Sequence, residues 1–96
     1  EPGAVWILRA LHASPALAHV RLDSHRGVTD RLAAACAPFL SGVAPELLWR
    51  RLRIAVEIGF AADEMLYEER RIDPDAALAA VAAMLSAALA ELAARR

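Results

Sequence analysis

The segment Asp73–Arg96, which reads DPDAALAAVAAMLSAALAELAARR, predicts a helix and decides the fold of this chain. Asp73 can cap that helix, and Pro74 suits its first turn, where a missing backbone N–H costs nothing. At about 100° per residue, one face consists of large aliphatic side chains: Leu78, Val81, Leu85, Leu89 and Leu92. The opposite face consists of small ones: Ala76, Ala79, Ala83, Ala87, Ala90 and Ala94.

The alanine face has two interpretations. Alanine is the strongest helix former, so the face can simply be solvated. However, a surface helix normally carries charge opposite its apolar stripe. The second interpretation is therefore a helix with protein on both sides, whose small side chains let another helix approach closely. A single chain of 96 residues has few helices to enclose it, so we favour a second copy of the chain as the cover.

Composition supports self-association and argues against several other classes of protein. The chain has 96 residues, enough for one domain spanning 1–96, and 58% of them are hydrophobic, above the roughly 45–50% of an average domain. The net charge of −1 gives no electrostatic footprint for nucleic acid. The single cysteine, Cys36, excludes an intrachain disulfide and suits a reducing, cytoplasmic location. The uncharged run Ala76–Ala90 is short for a membrane span, so no membrane contact is predicted. Because the chain does not begin with Met, we expect a piece of a longer protein.

Three further helices precede the last one, and the predicted fold is all-α. Their expected ranges are 4–13, 15 to about 37, and 45 to about 71, each opened or closed by a proline. The expected architecture is an antiparallel bundle of about four helices, whose last two form a four-helix dimer interface with a second copy. The third helix has one charged face, predicted to be solvated: Arg50, Arg53, Glu57, Glu64, Glu68 and Arg71.

Asp63 is the most informative polar residue, because it lies within the wide apolar arc of the third helix. Burying a carboxylate there is costly unless it is paired. Three interpretations stay open: an ion pair with Arg70 or with an arginine of a second chain, an anchor for a ligand, or plain exposure.

The aromatic residues suggest an apolar pocket, although core packing explains them as well. Trp49, Phe60 and Tyr67 lie on one flank of the third helix with Val56 between them, and Trp6 and Phe39 can close the space. His25 and Cys36 share a face of the second helix and can contribute to a ligand or to the core.

No catalytic or metal-binding pattern is present in the sequence. His12, His19 and His25 are too widely spaced for a helical metal pair, and Cys36 does not complete a zinc pattern. Neither a nucleophile elbow nor a phosphate loop occurs, so we expect no enzyme activity and no cofactor. A short stretch, Arg70–Asp73 before an alanine-rich helix, resembles chorismate mutase, but the interior-facing positions here are nearly all Ala and Leu.

Taken together, the chain resembles the C-terminal regulatory domain of TetR-family transcriptional regulators. The stretches that carry the resemblance are LRALHASPAL (8–17), RLAAA (31–35), RRLRIAV (50–56) and IDPDAAL (72–78). In that family the last two helices form a four-helix dimer interface and the preceding helices enclose a small-molecule pocket. The resemblance implies dimerisation through residues 45–96 and a pocket within residues 4–63. The family's DNA-binding helix-turn-helix is absent here, so DNA contact is expected only through that missing domain.

The expected function is thus ligand sensing and homodimerisation in a bacterial repressor, with a small apolar or aromatic ligand. The alternatives are a purely structural dimerisation module and, less favoured, a small helical enzyme. The predicted ligand-binding residues are Trp6, His25, Cys36, Phe39, Trp49, Val56, Phe60 and Asp63. The predicted dimer residues are Leu66, Leu78, Val81, Ala83, Leu85, Leu89 and Leu92.

Overall fold

The structure, a computed structural model, describes residues 2–95, apart from the side chains of residues 2, 4, 5, 8, 11 and 12. All regular structure within these residues is helical, which confirms the all-α prediction. The helices are α1 (Pro2–Ala13), α2 (Ala18–Cys36), α3 (Pro45–Glu68) and α4 (Pro74–Ala94), with short 3₁₀ helices at Pro15–Leu17 and Ala37–Phe39. The side chain of His12 lies outside the described residues.

Prolines mark the helix boundaries much as the sequence predicts. Pro45 and Pro74 occupy the first turns of α3 and α4, and Pro38 lies in the 3₁₀ turn that follows α2. A proline has no N–H to continue a helical ladder, which is why α2 stops at Cys36. α3 ends at Glu68, three residues before its predicted end, and a turn leads into α4.

The core lies where α2, α3 and the end of α4 meet. It contains Leu40 and Val43 from the α2–α3 connection, Leu48 and Leu52 from α3, and Leu92 from α4. Leu92 is fully enclosed, with 0% of its surface exposed. Its predicted role in a dimer interface is therefore wrong, because a side chain buried within its own chain cannot reach a partner.

The predicted solvated face of α3 is also wrong in part. Glu57 lies against α2, where it contacts His25, and Arg53 is half-buried and paired with Glu57. Ile54 and Ile58, one residue further on in each case, are exposed instead. The charged residues do share one face of α3, but α2 packs against an arc of the helix that includes part of this face.

The molecule is a thin slab. Its principal extents are 42 × 33 × 16 Å, so its thickness is about half of its width and less than half of its length. The radius of gyration is 15.1 Å, against about 12.5 Å for a compact domain of this length. The antiparallel bundle is thus not closed within one chain, and the four-helix dimer interface stays a prediction.

Candidate functional site

An apolar groove runs between α2, α3 and α4 on one side of the slab. We call it the main groove; its volume is about 340 Å³. That is at the lower end of the range of small-molecule pockets, roughly 300–1,000 Å³. It is lined by Val28, Leu32, Ala55, Val56, Gly59, Phe60, Asp63 and Leu85.

A second groove continues from the main groove between α3 and α4. It measures about 190 Å³ and shares Gly59 and Asp63 with the first. Its other lining residues are Ala62, Leu66, Ala77, Leu78 and Val81. The two grooves therefore form one apolar trough with Asp63 near its middle.

Among the described residues, Asp63 is the only charged one in the lining of either groove. It is exposed, and no hydrogen bond or ion pair joins it to any residue that the structure describes. The ion pair with Arg70 expected as one possibility does not form. Asp63 is exposed at the groove, and the ligand anchor and the ion pair with an arginine of a second chain stay predictions.

Phe60 forms an aromatic wall of the main groove and is fixed from behind by His25. The two rings stack with centroids 4.2 Å apart and an interplanar angle of 11°. His25 is 5% exposed, and its carbonyl oxygen accepts a hydrogen bond of 2.7 Å from the Thr29 hydroxyl. His25 therefore supports the groove wall and does not line the groove itself.

Glu57 holds the His25 ring through a charged cluster at the α2–α3 interface. Its Oε1 lies 3.2 Å from His25 Nδ1 and accepts a 3.0 Å hydrogen bond from Arg53 Nη1. The pKa of Glu57 is lowered from 4.5, chiefly because Arg53 donates that bond, with a further contribution from His25 that acts against the raising effect of burial. Arg21 Nη1 approaches Glu57 Oε2 at 4.0 Å. The cluster therefore holds the imidazole ring that stacks on Phe60.

The other predicted ligand-binding residues lie away from the groove. Trp6 and Phe39 are 68% and 78% exposed, and neither lines a groove. Trp49 Nε1 donates a 2.8 Å hydrogen bond to Asp30 Oδ1, and Cys36 packs against the core. None of these four residues lines the main groove or the second groove, so the structure does not bring them together with Val56, Phe60 and Asp63.

Sequence reasoning correctly grouped Val56, Phe60 and Asp63, but it missed the contribution of the neighbouring helices. Val28 and Leu32 of α2 line the main groove but were not predicted as groove residues. Leu85 was assigned to the dimer interface. Leu85 faces α3 because of the angle and rotation at which α4 packs on α3. Helical spacing alone does not predict this packing.

The hairpin of α3 and α4 has a second apolar surface on its other side, which we call the outer face. On α3 it consists of Ile54, Ile58 and Met65, which are 57%, 43% and 36% exposed. On α4 it includes exposed Ala83 and Met84. Helical spacing places these residues away from the buried side of each helix.

The predicted dimer residues divide between these two sides of the hairpin. Ala83 alone lies on the outer face. Leu66, Leu78, Val81 and Leu85 line the grooves, and Leu89 packs against the core. An ion pair of 2.9 Å between Arg51 Nη1 and Glu91 Oε2 ties α3 to the end of α4.

No group of three or more metal-ligating side chains occurs among the described residues. Comparisons of the chain with protein-family models, with curated proteins and with solved structures find no match. The resemblance to transcriptional regulators therefore stays a prediction.

Helix α4 also has the length and composition of a membrane span. An 18-residue window within this 21-residue helix has a mean hydropathy of 1.9, and only 6% of that window is buried. The prediction of no membrane contact considered only the uncharged run Ala76–Ala90, which is shorter than the whole helix.

Proposed function

We propose that the chain is a homodimerising, ligand-sensing regulatory domain, as found in bacterial transcriptional repressors. The observation that carries the proposal is the two-sided α3–α4 hairpin, which has an apolar trough on one side and the outer face on the other. A small apolar ligand occupies the trough, and a second copy of the chain covers the outer face.

Ligand binding and dimerisation are linked in this proposal because they use the same two helices. A ligand in the main groove touches Gly59 and Phe60 on α3, Leu85 on α4 and Leu32 on α2. It therefore binds one arrangement of the hairpin better than another and shifts the population of dimer geometries. DNA contact belongs to a further domain, because these residues carry a net charge of only −1.

Sedimentation velocity tests the dimer half of the proposal. We expect a mass of two chains at micromolar concentration. Ala83→Glu should dissociate or unfold the dimer, because it places an unpaired charge in an apolar interface. Ala34→Glu, the same change at an exposed alanine of α2, is the matched control and should leave the dimer intact. A sedimenting mass of one chain at these concentrations would contradict the proposed dimer.

Filling the groove tests the ligand half. A Cβ built on Gly59 meets no heavy atom within 4 Å, and the same holds for Gly27 on α2. Gly59→Leu extends into both grooves, whereas Gly27 lines neither. With octan-1-ol as the probe in NMR titrations, Gly59→Leu should weaken binding at least tenfold and Gly27→Leu should not. Equal affinities for both variants would place the probe elsewhere.

A structural dimerisation module without a ligand is the first alternative. In that case the apolar probes give no thermal shift, while the dimer mass persists. A small helical enzyme of chorismate mutase type is less favoured, because the groove holds no arginine or lysine to bind a dicarboxylate. Turnover of chorismate would support it directly.

Membrane insertion of α4 is a second candidate, favoured by its composition and exposure. Against it, Leu92 lies in the core and Glu91 is bonded to both Arg51 and Arg95. Flotation with vesicles of neutral phospholipid separates the two candidates. A dimer stays at the bottom of the gradient, whereas an inserting helix carries the chain to the top.

A further inference from the structure

The carboxylate of Asp63 is the one unexplained charge in the trough. It lies where the main groove and the second groove meet, and its surroundings are apolar on both sides. No described residue pairs with it, although Arg51, Arg53 and Arg95 all have carboxylate partners elsewhere.

Space beside Asp63 is available for a ligand. Gly59 precedes it by one helical turn and shares both grooves with it. No heavy atom lies within 4 Å of the position that a side chain at Gly59 would occupy. A ligand group can therefore approach the carboxylate from within the groove.

We propose that the trough selects an apolar ligand carrying one positive charge, such as an alkyl or aralkyl ammonium ion, with Asp63 binding the cation. This proposal rests on the proposed ligand-sensing function and names the class of ligand. The apolar part of the ligand lies against Phe60 and Leu85, and the ammonium group donates hydrogen bonds to the carboxylate.

Charge complementarity distinguishes a cation from the other possible ligands. An alcohol and an ammonium ion can both donate a hydrogen bond to the ionised carboxylate, but only the ammonium ion adds the attraction between opposite charges. A neutral alcohol therefore gains less than the ammonium ion, and an anionic headgroup is repelled by Asp63. The trough therefore discriminates between ligands by their charge and not by their apolar part.

Three probes with the same alkyl chain test the proposal on the full chain: octylammonium, octan-1-ol and octanoate. NMR or calorimetric titration should give the order octylammonium, octan-1-ol, octanoate, with the ammonium ion bound roughly three- to tenfold more tightly than the alcohol. Asp63→Asn should abolish that preference and leave the affinity for octan-1-ol within about twofold.

Glu68→Gln is the matched control for Asp63→Asn. It removes one negative charge from an exposed position of the same helix that lines neither groove. The ammonium preference should survive it, because the selectivity depends on a contact and not on net charge.

The possible failures are distinguishable. If the ammonium ion and the alcohol bind wild type equally, the groove binds ligands but Asp63 does not select them, and only this inference is overturned. If none of the three probes binds, the ligand-sensing function is overturned with it. If Asp63→Asn lowers the sedimenting mass and leaves the preference unchanged, an arginine of a second copy is the true partner of Asp63.

Discussion

At the scale of single residues, Glu57 connects the charged α2–α3 interface to the groove wall. Arg53 and His25 both contact its carboxylate, and His25 in turn stacks on Phe60. The pKa of Glu57 in the folded chain is below 4.5 because the Arg53 hydrogen bond stabilises the ionised form, with a smaller effect from His25. The folded state therefore binds fewer protons than the unfolded state in acid.

This sign predicts an acid-sensitive contribution to stability. The contribution of Glu57 is fully present above the unfolded pKa of 4.5 and is lost as pH falls through the lower folded pKa. Urea midpoints at about pH 7 and about pH 3 measure the acid-induced loss of stability. We expect a smaller loss in Glu57→Gln than in wild type, since the amide keeps a hydrogen-bond acceptor but does not titrate.

Glu68→Gln serves as the control, because Glu68 is exposed and no ion pair joins it to a described residue. Its acid-induced loss should match that of wild type. An unchanged loss in Glu57→Gln as well would mean that the Glu57 cluster has no net effect on folding.

At the residue scale, the sequence predicts contacts along a helix better than contacts across helices. Val56, Phe60 and Asp63 are grouped correctly because they share one side of α3. The contact between His25 and Glu57 was missed, because these residues are 32 positions apart and meet only when α2 packs on α3. Aromatic character was a poor guide: Trp49 is held by Asp30, outside the groove.

At the scale of helices, two similar sequence patterns lead to different helix starts. Ser14-Pro15 and Asp73-Pro74 both place a capping residue before a proline. Asp73 Oδ2 accepts a 3.0 Å hydrogen bond from the backbone N–H of Ala76, whereas Ser14 makes no side-chain capping bond. The reason is the geometry that follows: α4 begins directly at Pro74, while Pro15 opens a 3₁₀ turn before α2.

This difference predicts unequal costs for two alanine substitutions. Asp73→Ala should lower the free energy of unfolding by about 1 kcal/mol, since it leaves the Ala76 N–H without its cap and removes a negative charge from the helix start. Ser14→Ala should cost only a few tenths of a kcal/mol, in the usual range for surface changes. Urea unfolding followed by circular dichroism measures both. Equal costs would show that the Asp73 hydrogen bond does not contribute.

Helix pairing was predicted more successfully than helix faces. The last two helices do form an antiparallel pair, as their short connection implies. The aliphatic face of α4 was expected at the partner, but Leu85 and Leu92 turn toward α3 and the core. Helical spacing separates the two faces of α4 without saying which one meets α3. That choice depends on the return angle of the helix.

At the scale of the whole molecule, the surface of the chain is larger than its mass explains. The accessible surface is 6557 Å² for 10.3 kDa, whereas a compact monomer of that mass exposes about 5,400 Å². The excess of roughly 1,200 Å² exceeds the 800 Å² or so that each partner buries in a standard interface. Part of it is the outer face, where Ile54 and Ile58 are exposed. Self-association therefore removes surface that the slab cannot bury alone.

If the dimer contributes to folding in this way, the melting temperature must depend on concentration. Unfolding of a dimer releases two chains, so dilution favours the unfolded state. At about 0.7 kcal/mol of unfolding enthalpy per residue, a dimer of 96-residue chains should lose about 4 °C in Tm for each tenfold dilution. Thermal scans by circular dichroism from about 2 to 200 μM cover two such steps. Ala83→Glu should abolish the dependence, and Ala34→Glu should retain it. A Tm that stays constant across this range in wild type would contradict a folding-linked dimer and would leave the outer face to another partner or to a membrane.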